Sequence, residues 1–196
     1  MLYPITNESR SIISLDGTWE FRYADEEEWR PIVVPASFNN QFPEAKARYY
    51  CGIVEYRRSF VIPTVFSSER RVLRFDAVTH DAEVILDGTL IAGHRGGFLP
   101  FEIDITDILS CGKSHTILVR VDNRINHHTF PIGNESGIAF FGSDNPGIPS
   151  VEHGKLKLKG TNLPNFDFFN YAGITRSVRI YTTPKHYIED ITLNFN

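Results

Sequence analysis

An all-β sandwich with very little helix is the fold this sequence predicts, on three observations. Short segments of alternating polarity recur along the chain, turn residues (Gly, Pro, Asn, Asp) separate them about every 8–12 residues, and no long stretch has a helical period. Residues 18–22 and 56–62 read as the first strands, followed by 71–76. The clearest local signal is a hairpin: residues 83–86, then Asp87-Gly88, then 89–92, because Asp-Gly suits a tight turn that needs positive φ. Residues 116–121 place Ile117, Val119 and Val121 on one side of a strand, and residues 177–181 place Val178 and Ile180 likewise. Residues 106–109 offer one helical turn.

The 124–166 stretch breaks this rhythm with Gly, Pro, Asn and His throughout. It reads either as a long functional loop, as loops of that length often are, or equally as a surface excursion with a small hairpin around residues 155–159. Near the end, Ile191, Leu193 and Phe195 alternate as if a new strand were starting.

Composition narrows the partners. The 196 residues suit one all-β domain or a domain with a tail, and 41% hydrophobic residues are ample for a packed core. A net charge of −4 argues against nucleic acid or an anionic membrane as the main partner. No apolar run reaches the roughly 18–20 residues needed to span a bilayer. Residues 1–14 lack the apolar stretch of a secretory signal, so a cytoplasmic location is expected, with Cys51 and Cys111 as free thiols.

Candidate chemistry is sparse. Residues 165–174 gather three Phe and one Tyr around Asp167, with Asn165 and Asn170 on either side. Such a segment is either a tightly packed core corner or a polar site framed by rings, and residue chemistry alone favours the corner. Glu26, Glu27 and Glu28 read as a solvated face rather than a catalytic pair. His127, His128 and His153 lack the carboxylates or cysteines that would complete a metal site, so no metal is expected. His80 and His94 read as surface or turn histidines, and the glycine-rich residues 93–97 as a turn; no cofactor is indicated.

Six blocks together resemble one family. Residues 15–21 (LDGTWEF) are similar to the opening strand of family 2 glycoside hydrolases, and 34–41 (VPASFNNQ) narrow the resemblance to β-glucuronidases. Residues 73–80 (LRFDAVTH), 96–102 (GGFLPFE), 167–174 (DFFNYAGI) and 181–184 (YTTP) follow in the family's order. The resemblance implies a jelly-roll, galactose-binding-like sugar-binding domain over residues 1–185, the long loop at about 124–166 included. Residues 186–196 would start a following immunoglobulin-like domain. It further implies a homo-oligomeric parent that hydrolyses β-D-glucuronides with two glutamates on a C-terminal TIM barrel outside these residues, so that this chain holds no catalytic residue and is inactive alone. The one site residue it carries over is Asp167, which would reach into the barrel and accept hydrogen bonds from the hydroxyls of the glucuronide substrate. The 124–166 loop, longer than in the best-known members, is expected near the active-site mouth, with a subunit contact as the alternative. The alternatives are a stand-alone carbohydrate-binding module and a purely structural domain supporting an oligomer.

Overall fold

The computed structural model describes residues 3–125, 129–130, 150–152, 155–157, 169–188 and 191–194. In chain order the strands begin with β1 (Ile12–Ser14), β2 (Gly17–Tyr23), β3 (Arg30–Val34), β4 (Ile53–Val61) and β5 (Arg70–Phe75). Next come β6 (Val78–Thr79), β7 (Asp81–Leu86), β8 (Thr89–Arg95), β9 (Phe101–Asp104) and β10 (Ser114–Asp122). The last are β11 (Ser150–Glu152), β12 (Lys155–Lys157), β13 (Gly173–Ile174) and β14 (Val178–Thr183).

Ten of these strands form the two layers of the sandwich. One sheet has the order β1-β14-β5-β9 and the other β3-β2-β4-β10-β7-β8. Alternation decides what lies between them. Trp19, Phe21 and Tyr23 of β2, Val54 and Tyr56 of β4, Ile117, Val119 and Val121 of β10, and Val84 and Leu86 of β7 point inward and are buried. Leu73, Phe75, Val178 and Ile180 face them from the smaller sheet. The buried indole of Trp19 still finds a partner, donating from Nε1 to the Leu15 carbonyl at 2.7 Å.

The Asp-Gly hairpin forms as the sequence predicts. β7 pairs antiparallel with β8, and Asp87 (φ 47) and Gly88 (φ 84) both take positive φ in the two-residue turn. The carboxylate of Asp87 also receives the Thr116 amide at 2.8 Å and lies 2.6 Å from Nδ1 of His115, tying the turn to β10. A ribbon of β11 and β12 pairs where the small hairpin is expected, one turn earlier along the chain.

Three expectations are corrected. Residues 106–109 make the single turn expected of them, with the Ile108 and Leu109 amides both donating to the Ile105 carbonyl, but the helix lies elsewhere. The one α-helix among the described residues is instead α1 (Ala45–Tyr49), which buries Ala47. Residues 93–95 belong to β8, so the glycine-rich segment is a strand end followed by a turn. Residues 191–194 are not a strand, and Ile191 and Leu193 are exposed. Most of the 124–166 stretch lies outside the described residues.

Candidate functional site

Four of the six sequence blocks meet at one end of the sandwich. The segment after Asp167 is held from three sides, beginning with backbone. β13 pairs with β6, setting Gly173 opposite Thr79 and Ile174 opposite Val78. The amides of Ala36 and Phe38 donate to the carbonyls of Ile174 and Ala172, each at 3.1 Å, so the 34–41 block lies along the other edge.

Buried side chains then fill the remaining backbone valences. Asn39 is 3% exposed; its Oδ1 accepts the Ala172 amide at 2.9 Å while Nδ2 donates to the carbonyls of Ala47 and Arg48. A buried amide without a partner costs about 1–3 kcal/mol, so Asn39 joins α1 and the 170–174 segment by satisfying both. Thr79 Oγ1 donates to the Gly97 carbonyl at 3.1 Å, bringing in the 96–102 block.

Asn170 is the polar centre of this arrangement. His80 Nε2 lies 2.5 Å from Asn170 Oδ1, and since an amide oxygen only accepts, Nε2 carries the proton. Asn170 Nδ2 donates to the Asn123 carbonyl at 3.0 Å. Asn123 in turn accepts the Gly52 amide at 2.8 Å and donates to the Tyr50 carbonyl at 2.7 Å. The chain His80–Asn170–Asn123 thus ties the segment to the ends of β4, β7 and β10. Burial lowers the pKa of His80 below its ordinary value, against the opposing pull of Asn170, Asp81 and Asp122, so the ring is neutral at pH 7.

His80 is therefore not the surface or turn histidine its polar neighbours imply: at 1% exposure it is a core residue. Its partner lies 90 residues along the chain, which is why local reading misses it. His94 is half-buried and stacks on Phe101 at 4.2 Å. Phe169 packs against Tyr171 at 4.6 Å and Tyr49 at 6.4 Å, while Tyr171 keeps 46% exposure. Asp167, Phe168, His127, His128 and His153 lie outside the described residues. Among the described residues no cluster could hold a metal ion, and Cys51 and Cys111 form no disulfide.

Close packing fixes the same corner. Gly173 has φ +114, and a Cβ there would meet the Tyr56 hydroxyl and the Phe38 ring. A glycine is required on both counts: the backbone conformation excludes L side chains, and no volume remains for one.

A second polar surface lies on the outer face of the six-stranded sheet. Strand register puts Arg22, Glu55, Arg120, Glu83 and Gly93 in one row across β2, β4, β10, β7 and β8. The next row holds Ile53, Asp122, Asp81 and Arg95. Glu55 is buried between Arg22 and Arg120, at 2.6 and 2.9 Å. Arg95 lies 3.2 Å from Asp81. Between these rows, over β10, β7 and β8, is an open cavity of about 600 Å³. Half-buried Trp29 lies over Arg22 and Arg57 on the same face, with guanidinium-to-ring distances of 4.6 and 4.2 Å.

Known proteins place this architecture. Residues 6–184 match the family model described as glycosyl hydrolases family 2, sugar binding domain. A solved Faecalibacterium prausnitzii β-glucuronidase is 51% identical with a TM-score of 0.87, over 96% of this chain and 34% of that one. A Bifidobacterium dentium β-glucuronidase, solved in complex with coumarin-3-O-glucuronide, is 47% identical with a TM-score of 0.83, over 94% of this chain and 32% of that one. The Streptococcus agalactiae β-glucuronidase is 34% identical over 98% of this chain and 31% of its own length. The chain therefore spans about a third of each of these relatives. Fold, motif order and match agree: the chain belongs to glycosyl hydrolases family 2, through its sugar binding domain.

Proposed function

We propose that this chain is the sugar-binding domain of a β-glucuronidase that hydrolyses β-D-glucuronides, and that Asp167 is its contact with the substrate. Hydrolysis would fall to carboxylates of a barrel outside these 196 residues. Retaining glycosidases need two carboxyl groups roughly 5–5.5 Å apart, one nucleophile and one proton donor. The domain's part is to orient the sugar: a carboxylate accepts only, and two adjacent hydroxyls can donate to its two oxygens.

The observation that carries this reading is the buried support of the segment next to Asp167. Asn170, three residues on, is locked by His80 and Asn123, and Ala172 by Asn39. Binding residues on loops work when a rigid scaffold fixes their neighbours, and residues 170–174 are fixed in that way. A cytoplasmic, homo-oligomeric parent belongs to the same proposal.

The test is hydrolysis of a chromogenic β-glucuronide by the polypeptide continued through its barrel. Asp167→Ala should lower kcat/KM by about 10–100-fold or more, since hydrogen bonds to a charged group contribute about 1.5–3 kcal/mol each. The 196-residue chain alone should be inactive. Full activity in the Asp167 variant would reduce Asp167 to a turn residue, and no activity in the parent would favour a non-catalytic binding module.

A further inference from the structure

We propose that the outer face of the six-stranded sheet carries a further carbohydrate site, lined by residues other than Asp167, which takes a neutral oligosaccharide in the cavity over Glu83, Gly93, Arg95 and Arg120. The cavity, about 600 Å³, is in the size range of small-ligand sites. It exists because Gly93 leaves the end of a charged row without a side chain. A Cβ on Gly93 would have only the Ala82 carbonyl oxygen near it, at 3.8 Å, so the space beyond is open.

The lining selects the ligand by elimination. Carboxylates (Asp81, Glu83, Asp122) and guanidiniums (Arg95, Arg120) both line the cavity. A polyanion would meet the three carboxylates and a polycation the two arginines. An apolar ligand would find little beyond Ile53 and leave the charged groups desolvated. Sugar hydroxyls satisfy both kinds of group, because each donates to a carboxylate and accepts from a guanidinium.

Two features show that the surface is built to stay in place. The row is carried on five paired strands, and Arg120 is fixed from Glu55 at 2.9 Å, with Glu83 at 3.7 Å on its other side. Trp29 is held on the same face by the Arg22 and Arg57 guanidiniums, 4.6 and 4.2 Å from its ring, which anchors the β2–β4 side of the row. With strands about 4.8 Å apart, the distance from β2 to β7 is roughly 14 Å, a span for a short oligosaccharide rather than one sugar. The neighbouring His80 and Asn123 are buried on the inner side, so this surface does not share the Asp167 scaffold's side chains.

The experiment is a titration of the ¹⁵N-labelled chain with cellotriose, xylotriose and maltotriose, with trigalacturonate as the anionic comparison. At least one neutral trisaccharide should give saturable shifts at Gly93, Arg95 and Arg120, with Kd on the order of 1–10 mM. Gly93→Trp, which fills the cavity, should weaken binding at least tenfold. Arg95→Ala, at a mostly exposed side chain that the fold does not need, should weaken it about threefold or more. No shifts with any neutral sugar up to 50 mM (on the order of the weakest useful affinity) would overturn the proposal. So would binding that both variants leave intact, or tighter binding of trigalacturonate than of every neutral sugar. Because the readout needs neither Asp167 nor hydrolysis, its failure leaves the catalytic proposal untouched.

Discussion

Replacing Gly173 by alanine isolates how tightly the Asp167 side of the domain is constrained. The backbone at Gly173 has φ +114, a region where an L residue costs about 1–3 kcal/mol. The added methyl would also come within 3.3 Å of both Phe38 Cδ1 and Tyr56 Cζ and overlap the Tyr56 hydroxyl. Neither ring can swing aside, since both are fully buried in the core. Overpacking of that kind costs about 1–3 kcal/mol. Together the two effects amount to about 4 kcal/mol, a large part of the roughly 5–15 kcal/mol that holds a domain folded. Urea unfolding followed by tryptophan fluorescence should show it as a midpoint lowered by about 2 M, for a slope near 2 kcal/mol/M. Adding Tyr56→Phe separates the causes, because it removes the overlapping hydroxyl and leaves the φ penalty. The double variant should be about 1–2 kcal/mol more stable than the sum of the single losses predicts. A loss below about 1 kcal/mol in Gly173→Ala, or strict additivity with Tyr56→Phe, would refute the argument.

Two further perturbations test other parts of the structure. Arg74 is buried and bonded to Asp76 at 2.7 Å and Glu102 at 2.6 Å, so Arg74→Ala should cost about 3 kcal/mol. The loss stays at the low end because Arg179 still holds Asp76 at 3.0 Å; a loss under 1 kcal/mol by denaturant unfolding would contradict it. His80 predicts a pH dependence. Its folded pKa is lowered below 6.5, so below that pH the unfolded chain takes up a proton that the folded domain refuses, and stability falls as pH drops. The slope is at most about 1.4 kcal/mol per pH unit, and His80→Gln, which can still donate to Asn170, should remove that component. Unfolding midpoints at pH 7.5 and 5.5 that fall equally in both proteins would rule it out.

Strands were legible wherever neighbours along the chain carry the signal. Alternation at Ile117, Val119 and Val121 located β10, and Asp87-Gly88 located its hairpin to the residue. What eluded local reading depends on partners far away. Asn39 looks like a loop asparagine until Ala172, 133 residues on, supplies its buried amide. His80 sits among polar residues and becomes a core side chain only through Asn170. α1 is five residues long, too short for a period to register, and its helical turn is secured from a distance by Asn39, whose Nδ2 donates to both the Ala47 and Arg48 carbonyls. The charged rows needed strand register, which no single segment encodes. Asp167 was singled out by ring-and-carboxylate composition and by its motif, while the scaffold next to it emerged only in three dimensions.

The pairing of β1 with β14 has a consequence for how the domain is made. Among the described residues β1 is an edge strand whose one neighbour in its sheet is β14, and the Ser11 carbonyl accepts the Thr182 amide across 171 positions of sequence. During synthesis the first strand therefore waits for nearly the last. At about 5–20 residues per second, that is roughly 10–30 s in which β1 has no partner from its own chain. The larger sheet needs nothing beyond Asp122 for its six strands and can pair in the meantime. Biogenesis is thus ordered by topology: half the sandwich first, the Asn170 corner and the closing sheet only once β14 has left the ribosome.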